Sequence, residues 1–579
     1  MNREKKYRIV GARSIAPLFL FLFLIACNGG NTTTTDADLD ADLDADMTDQ
    51  SDQSDDIPDL PDVTVDDDLI ETPEADLPDE DPVSSPIIVA LSVTMNPNPA
   101  APLVGVVTAT TEPATRLRVT LESSEGSETI RYTQLSSEHR LPILGLLPGK
   151  IYTVTAAAET PNGSTKTHPK NFTLITPSLR LDFPDIQHIN HRPEGREPGY
   201  ILIVLGKAQG PVDDFGFHTV LFDIKGNIRW FYQSDGRQHG LQTLPNGNLL
   251  MQFSQRVLEV DMFGDSVGEW LVGSATGGPL AVTVAGGKRF HHSAIQTLND
   301  TIIVLDDDTR MMENYPTSDT DPDAPKDTVL VRGDAVIEFN RDGIVLKQHY
   351  LLDILDPYRI GYLFIPGNQW SHANYALPIA DDDSIVVSVR HQSCIAKFDR
   401  VTGDLRWILG NHEKWDKTFE PFLLAPIGIP FEWQWYQHNP KLTPDDTFLV
   451  FDNGNYRAMP FDPPLIAEEN RSRAVEYRVD EVNMTVEQIW EWFPNEDPLV
   501  YTAELGDIHH LPQTGDVVVT FGSILEDTAR KARIFEVTHT APAEVLYELR
   551  VDDIVANEMG WIVTSSAFRS SLYPEGMIE

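Results

Sequence analysis

Apolar and polar residues alternate with a period of two in six segments between residues 219 and 551, and a polar turn interrupts each segment. One example is Thr219-Val-Leu-Phe-Asp, which leads through Gly-Asn to a second apolar run. This alternation predicts half-buried β-strands, and the Asn, Asp and Gly residues between them predict hairpin turns. The six predicted hairpins begin near Thr219, Arg256, Ala335, Cys394, Arg473 and Arg533.

A histidine followed by a polar turn and an apolar strand recurs ahead of most of these hairpins. The copies begin at His239, His292, His372, His438 and, less regularly, His509-His510. Their separations of 53, 80, 66 and 71 residues are typical of repeated supersecondary units with loop insertions. In the fifth copy Asp507 stands where the others have histidine, so we do not expect His509 or His510 to be catalytic.

Each histidine-led segment and its hairpin together supply about four strands, which is the size of a β-propeller blade. Five such segments serve six hairpins. Strands at 559–564 and 200–205, from the two ends of the region, are predicted to supply what is missing and to close the ring. The predicted fold is therefore all-β, with a six-bladed β-propeller over residues 178–579. A pair of β-sandwiches is the alternative, because periodic strands alone do not determine ring closure.

Residues 1–27 have the organisation of an export signal. Basic residues precede an apolar run from Pro17 to Ile25 that is short for a membrane span, and the run ends in Leu24-Ile-Ala-Cys27. This end resembles the bacterial lipobox, which implies cleavage before Cys27 and diacylation of its sulfur. We therefore expect a lipid-anchored protein of the bacterial cell envelope, at the outer membrane or the periplasmic face. An ordinary secretory signal peptide is the alternative.

Residues 28–85 are predicted to be a disordered acidic tether. The stretch from Asp36 to Asp81 holds 21 acidic residues and no basic one, so like charges repel and little apolar surface is available for folding. Calcium binding by the Asp-x-Asp spacing stays open, although the glycine and the closing glutamate of an EF-hand loop are missing. The formal net charge of the whole chain is −45, which disfavours nucleic-acid binding.

Residues 86–177 are rich in predicted strands and are punctuated by Pro and Thr. Their segment Leu147-Pro-Gly-Lys-Ile-Tyr152 resembles the tyrosine corner of a fibronectin type III domain, in which the Tyr hydroxyl caps a backbone turn. We therefore predict a small fibronectin type III-like β-sandwich before the propeller. Because Cys27 and Cys394 are the only cysteines and lipidation would use the first, no internal disulfide is expected.

A residue repeated at the start of several inner strands converges on one mouth of a propeller channel. His292, His372 and His438 are the best candidates for such a site, whereas His239 fits a structural role better. Arg390 lies eighteen residues after His372, so a strand, a turn and a return strand would bring it back to the same mouth. Imidazoles, an amide and one guanidinium around a channel are suited to an anionic ligand.

Several phrases between residues 200 and 550 resemble, in the right order, the bacterial arylsulfate sulfotransferases, which are six-bladed propellers of the periplasm. These phrases are Trp370-Ser-His-Ala-Asn374, Asp404-Leu-Arg-Trp-Ile-Leu-Gly410, Phe451-Asp-Asn-Gly-Asn455, Ser472-Arg-Ala-Val-Glu-Tyr477 and Val518-Val-Thr-Phe-Gly522. The resemblance implies transfer of a sulfuryl group from an aryl sulfate donor to a phenolic acceptor without a nucleotide. The cysteine pair of some better-known members is missing here.

The resemblance also implies a role for each site residue. His438 is the nucleophile that becomes sulfated. The sulfuryl oxygens are bound by His372, Asn374 and Arg390, with His292 or its neighbour His291 completing the pocket. No cofactor and no metal are expected, and the sequence is compatible with a homodimer.

Two other classes of function stay open at this stage. A propeller with a fibronectin-like module also suits a non-catalytic binding or adhesion lipoprotein. A histidine-rich hub suits a metal-dependent hydrolase, although no His-x-His or His-x-x-x-His ligand set is present and a guanidinium in the pocket would oppose a cation.

Overall fold

The computed structural model describes residues 85–180, 183–208, 216–362, 367–526, 528–552 and 560–579. Within these ranges the regular secondary structure is almost entirely β-strand, with one short helix, α1 (Leu351–Ile354), and four 3₁₀ turns (Pro193–Gly195, Arg390–Gln392, Lys417–Phe422 and Ala467–Glu469). None of the helices among these residues has the length and hydrophobicity needed to cross a bilayer. The predicted lipobox at Cys27 and nearly all of the predicted tether lie outside the described residues.

The N-terminal part is a β-sandwich, as the sequence predicted. Its strands are β1 (Ile87–Met95), β2 (Gly105–Ser123), β3 (Gly126–Arg131), β4 (Ser136–Ile143), β5 (Ile151–Glu159), β6 (Thr165–Thr167) and β7 (Phe172–Ile175). The long strand β2 joins both layers, because β1 and β4 pair with its first half and β3 and β5 with its second half. The tyrosine corner is confirmed, since the backbone N–H of Leu147 donates to the hydroxyl of Tyr152 across 2.8 Å.

The remaining strands form the propeller. In chain order they are β8 (Ile186–Asn190), β9 (Tyr200–Lys207), β10 (Phe217–Asp223), β11 (Ile228–Ser234), β12 (Gln238–Thr243), β13 (Leu249–Phe253), β14 (Arg256–Val260), β15 (Ser266–Val272), β16 (Ala281–Val284), β17 (His291–Gln296), β18 (Ile302–Tyr315), β19 (Asp327–Phe339), β20 (Val345–Tyr350), β21 (Ala373–Ile379), β22 (Ser384–Val389), β23 (Cys394–Asp399), β24 (Leu405–Gly410), β25 (Ala425–Ile427), β26 (His438–Leu442), β27 (Thr447–Asp452), β28 (Arg473–Asp480), β29 (Thr485–Trp492), β30 (Asp507–His510), β31 (Val517–Glu526), β32 (Ala529–Val537), β33 (Val545–Val551) and β34 (Trp561–Arg569).

These strands make six blades among the described residues. Written from the inner strand outwards, the blades are β34-β9-β10-β11, β12 to β16 in order, β17 to β20 in order, β21 to β24 in order, β26-β27-β28-β29-β25, and β30-β31-β32-β33-β8. The inner strands contact one another in sequence, and β34 contacts both β30 and β12, so the ring is closed. The six predicted hairpins are all present as outer strand pairs.

Both ends of the propeller region take part in closing the ring. The inner strand of the first blade is β34, which is C-terminal, and its partner β9 contains the predicted strand at 200–205. At the opposite side, the N-terminal strand β8 is the outermost strand of the sixth blade. The two predicted strands thus both lie in the first blade, although 200–205 belongs to its second strand and only β34 is an inner strand; the part played by β8 in the sixth blade was not predicted.

Apolar packing holds neighbouring blades together. A cluster of buried aliphatic and aromatic side chains lies at each of the six blade boundaries. At the boundary of the fourth and fifth blades, for example, Trp407 and Ile395 pack against Val450 and Tyr477. Burial of this kind contributes about 25 cal/mol per Å² of apolar surface, so it can hold the ring without a disulfide. The one cysteine among the described residues, Cys394, is buried and unpaired.

Candidate active site

A β-bulge interrupts the start of the inner strand in four consecutive blades, at the histidine-led segment each time. The register shifts occur at His239, His292, Asn374 and Asn439. His292, His372 and Asn439 have φ angles of 57°, 44° and 46°, which is a left-handed conformation that is uncommon for residues other than glycine. Bulges redirect side chains, and backbone strain of about 1–3 kcal/mol per residue is typical of functional sites.

His438 is held through one ring nitrogen. Its Nδ1 lies 2.6 Å from the side-chain oxygen of Asn453. The amide nitrogen of Asn453 donates to the carbonyls of Thr502 (2.9 Å) and Leu505 (2.8 Å), so the amide oxygen is the acceptor and the shared proton is on His438 Nδ1. A neutral His438 therefore carries its lone pair on Nε2.

Four imidazoles at this end of the channel are neutral at pH 7, namely those of His438, His391, His292 and His372. Burial, together with the positive charge of Arg390, lowers the pKa of His438 to about 3. The same two causes lower the pKa of His391 to about 3. Burial is also the main reason why the pKa values of His292 and His372 lie well below the ordinary range. The Nε2 lone pair of His438 is therefore available without prior deprotonation.

The topology brings Arg390 to the same end of the fourth blade as His372, as the sequence predicted. Strand β21 pairs with β22 in an antiparallel hairpin, and Ala373 at its start lies opposite Val389 at the end of β22. His372 precedes Ala373 and Arg390 follows Val389, so the two side chains belong to the same mouth of the channel.

Arg390 is a buried cation with unused hydrogen-bonding capacity. Its Nη1 donates to His391 Nε2 across 3.0 Å and its Nη2 donates to the carbonyl of Ala503 across 2.8 Å. Its buried Nε has no hydrogen-bond partner among the described residues. Burial lowers the pKa of Arg390, and the charge of Glu504 partly opposes that shift. A buried, incompletely satisfied guanidinium favours an anionic ligand.

His372 stands in a row of three rings. Its ring centroid lies 4.5 Å from that of His391, with the two planes nearly parallel, and 5.0 Å from that of His292. Gln369 fixes two of these rings, since its side-chain oxygen lies 2.8 Å from His372 Nδ1 and its backbone oxygen 2.8 Å from His391 Nδ1. The row joins the third blade to the fourth.

The neighbouring histidine, His291, connects the row to a buried carboxylate. Its Nδ1 lies 2.9 Å from His292 Nδ1, and its Nε2 forms an ion pair with Asp334 Oδ1 at 3.2 Å. The other oxygen of Asp334 accepts from Ser371 Oγ (2.7 Å) and from the backbone N–H of Ala373 (2.5 Å). Asp334 therefore accepts hydrogen bonds from both residues that flank His372, the histidine of the fourth blade.

Asn374 and His239 also lie at the hub. Asn374 donates from Nδ2 to the carbonyl of Gln437 across 2.7 Å, so it supports the backbone immediately before His438. His239 shares a hydrogen bond with Ser254 of its own blade, at 3.2 Å.

The histidine pair of the sixth blade has other partners. His509 Nε2 lies 3.4 Å from Asp507, which also accepts from the backbone N–H of Ser566 at 3.0 Å. The ring of His510 lies 6.0 Å from that of His539. Asp507 thus replaces a histidine at the hub.

Four residues of the site were missed by the sequence analysis: His391, Gln369, Asn453 and Asp334. His391 follows Arg390 directly, and Asn453 lies within one of the family-like phrases, so proximity to those motifs was an available signal. Asp334 lies in an outer strand of the third blade, where nothing in the local pattern marks it.

His291, Asp307 and Asp334 each place one donor atom within 4.8 Å of the others, which is a spacing that a divalent cation accepts. The protein already supplies positive charge there, because Arg289 Nη2 lies 2.7 Å from Asp307. Both oxygens of Asp334 are engaged as well. We therefore assign these side chains to an internal charge network and not to metal ligation.

A profile of the arylsulfotransferase (ASST) family matches residues 166–561, and one of the arylsulfotransferase Ig-like domain matches residues 92–175. The chain belongs to the arylsulfotransferase family. The family resemblance predicted from the sequence is thereby confirmed, and the Ig-like profile covers most of the predicted sandwich.

Two relatives, both named arylsulfate sulfotransferase AssT, come from Escherichia coli O6:H1 and Lelliottia amnigena. Each is 27% identical to this arylsulfotransferase family member, over 336 and 338 residues respectively. Both alignments cover 50% of this chain and 55% of the relative, so the chain spans about half the length of the relatives it matches. A putative 6-phosphogluconolactonase from Bacteroides uniformis aligns over 60% of this chain and 81% of its own, with 12% identity and a TM-score of 0.32, which is too low to bear on function.

Proposed function

We propose that this protein transfers a sulfuryl group from an aryl sulfate ester to a phenolic acceptor, without a nucleotide, through a sulfated His438. The observation that carries the proposal is the contact between His438 and Asn453. It fixes the proton on Nδ1 and leaves a lone pair on Nε2 of a neutral, buried imidazole beside a buried guanidinium. Family membership and the names of the two relatives support the same class of reaction.

Two displacements complete the cycle. In the first, His438 Nε2 attacks sulfur, an N–S bond forms, and the S–O bond to the aryl group breaks, which releases a phenolate. In the second, the oxygen of the acceptor attacks sulfur and the N–S bond breaks, which returns His438 to its neutral form. A covalent intermediate divides one difficult transfer into two easier steps. A second imidazole protonates the departing phenolate and later accepts the proton of the acceptor.

Arg390 is suited to hold the sulfuryl oxygens during both displacements. Negative charge gathers on these oxygens in the transition state, and a donor that is already in place there costs no reorganisation. The unpaired Nε of Arg390 and its burial supply such a donor. We propose that His372 and Asn374 also lie beside the sulfuryl group. Asn374 in addition supports the backbone at Gln437, immediately before His438.

Steady-state and burst kinetics test this proposal. Initial rates with varied aryl sulfate at several fixed phenol concentrations should give parallel double-reciprocal lines, and donor alone should release about one phenol per protein while the protein gains one sulfuryl group. His438→Asn should abolish both the burst and the modification, because an amide cannot attack sulfur. His510→Asn is the matched control, since this histidine belongs to the sixth blade and its ring lies near His539.

Intersecting lines would show that the transfer is direct. A burst that persists in His438→Asn would move the nucleophile to another ring, for which His372 is the first candidate, because its Nδ1 is also held by an oxygen acceptor. A protein that turns over neither substrate would favour a binding or adhesion role. If chelation with dialysis removed the activity and zinc or manganese restored it, His291, Asp307 and Asp334 would be ligands and the metal-dependent hydrolase would be favoured.

We also propose that the mature protein is anchored by lipid at Cys27 in the bacterial cell envelope. The support is the lipobox-like sequence Leu24-Ile-Ala-Cys27, followed by an acidic segment that suits a tether. A single acyl chain binds membranes weakly, whereas two or more hold a protein stably.

A further inference from the structure

A line of three side chains leads away from the pocket into the third blade: His292, His291 and Asp334. The two histidines face each other through Nδ1 atoms 2.9 Å apart, and His291 Nε2 is 3.2 Å from Asp334 Oδ1. All three side chains are buried or nearly so. His292, at one end of the line, lies at the channel mouth. There the electrostatic interactions with His438 and Arg390 both lower its pKa.

Only one proton can lie between the two Nδ1 atoms, so the protonation of the histidines is linked. When His291 is an imidazolium, its Nδ1–H donates to His292, and the proton of the neutral His292 is then on Nε2. When His291 is neutral with its proton on Nε2 toward Asp334, His292 must donate from Nδ1, and its Nε2 carries a lone pair. A change of charge on His291 therefore converts His292 Nε2 from a proton donor into a proton acceptor.

The surroundings of His291 favour the charged form. Burial opposes a charge on His291, but the charge and the hydrogen bond of Asp334, together with the charge of Asp307, raise the pKa of His291 above its ordinary value. Burial raises the pKa of the Asp334 carboxyl, but the charge of His291 and the hydrogen bonds from His291, Ser371 and Ala373 together lower it below its ordinary value. Of the two further charged neighbours, Arg289 lowers the pKa of His291, whereas Asp307 raises it.

From this geometry we infer that His292 is the acid and base of the sulfuryl transfer proposed above, and that His291 and Asp334 form the relay that reloads it. As the S–O bond breaks, the phenolate oxygen takes the proton from His292 Nε2, and His292 Nδ1 takes the Nδ1 proton of His291. His291 becomes neutral and keeps its Nε2 proton against Asp334. In the second displacement the acceptor phenol gives its proton to His292 Nε2, and His292 returns its Nδ1 proton to His291.

Asp334 has a second task in this arrangement. Its other oxygen holds the residues on both sides of His372, through Ser371 and Ala373. The carboxylate that stabilises the charged His291 also fixes the backbone of the fourth-blade histidine. Asp334 is therefore a positioning residue for two blades, and its two tasks can be separated by mutation.

The dependence of the burst on the leaving group tests the relay. A phenolate as weakly basic as 4-nitrophenolate departs without a proton, whereas unsubstituted phenolate needs one. The burst of phenol from donor alone should therefore be measured with 4-nitrophenyl sulfate and with phenyl sulfate, for the wild type, His292→Asn, His291→Asn and Asp334→Asn. General acid catalysis contributes about 10²–10⁴-fold. We expect phenyl sulfate to be slowed by about 10²-fold or more in all three variants, and 4-nitrophenyl sulfate by less than about 10-fold.

Two comparisons separate the relay from a structural effect. His291→Asn leaves Asp334 and its contacts to Ser371 and Ala373 in place, so it tests the relay even if Asp334→Asn does not fold. Ser371→Ala removes one of those contacts and keeps the charge, so it should slow both donors by the same factor.

Equal slowing of the two donors in His291→Asn and His292→Asn would overturn the relay while leaving the nucleophile in place. The absence of a burst from either donor in the wild type would overturn the proposed function itself, and the relay with it. Loss of wild-type activity on chelation would also overturn the relay, because the positive charge beside Asp334 would then be a metal ion.

Discussion

Asn453 accepts the Nδ1 proton of His438 across 2.6 Å, and both hydrogens of its own amide are engaged by backbone carbonyls. The amide cannot rotate to present its nitrogen without breaking both of these bonds. The direction of the His438 lone pair is therefore determined by the backbone of the loop at Thr502 and Leu505, and not by His438 alone.

Asn453→Ala should slow the burst with little change in the affinity for donor. It leaves the buried Nδ1–H of His438 without an acceptor, which costs about 1–3 kcal/mol, so we expect a loss of about 10- to 100-fold in the burst rate. Asn455→Ala is the matched control, because Asn455 donates to the carbonyl of Ala503 and does not contact His438. A similar loss in both variants would mean that the loop, not the proton position, is at fault.

Arg390→Lys should be severely slowed although the charge is conserved. A single ammonium cannot contact His391 and the carbonyl of Ala503 and also reach the sulfuryl oxygens. Removal of one such donor typically costs about 10²–10³-fold in rate. The surface variant Arg406→Lys, in the same blade, controls for the substitution. A kcat close to that of the wild type in Arg390→Lys would remove Arg390 from the transition state.

Stability should fall as the pH is lowered from about 6.5 towards about 3. The pKa of His438 is lowered to about 3 in the folded protein, so only the unfolded chain binds a proton on this residue within that window. Each such group contributes a slope of up to about 1.4 kcal/mol per pH unit. Urea unfolding at pH 7 and pH 5 should show a shallower dependence in His438→Asn and no change in the exposed control His191→Asn. Equal slopes in all three proteins would mean that His438 titrates normally.

Cys27→Ser should release the protein from membranes without loss of turnover. The substitution removes the sulfur that would carry the lipid, and the catalytic region is far along the chain. Detergent phase partitioning and the specific activity of the purified protein check the two halves of this prediction. A Cys27→Ser protein that stays in the detergent phase would show that membrane attachment has another cause.

The strand pattern predicted much of the fold because burial on one face of a strand leaves a local record. The period of two and the turn residues located all six hairpins, and the tyrosine corner was found from a segment of six residues. Ring closure was predicted by counting inner strands, and β34 fills the position that lacked a histidine copy.

The candidate site could be predicted only in part, because some of its contacts lie within one hairpin and others cross a blade boundary. Arg390 and His372 were brought together correctly because one hairpin determines their separation. The contacts of Asp334 with Ser371 and Ala373 were not predicted, since they cross a blade boundary and depend on how two blades pack. Stacking of His391 on His372 was missed for a related reason, because the 3₁₀ turn at Arg390–Gln392 has no periodic signature.

The ring of the propeller cannot close during synthesis of the chain until β34 has been made, because β34 is the inner strand of the first blade. The hub of the propeller lacks one wall until Trp561–Arg569 has been made, and the residues just beyond it dock on the sandwich, where the hydroxyl of Tyr573 accepts from the backbone of Leu144. Every histidine discussed above is synthesised before that strand. A nascent chain can therefore form separate sheets before that point, but the pocket acquires its complete surroundings only once Trp561–Arg569 has been made and has joined the first blade.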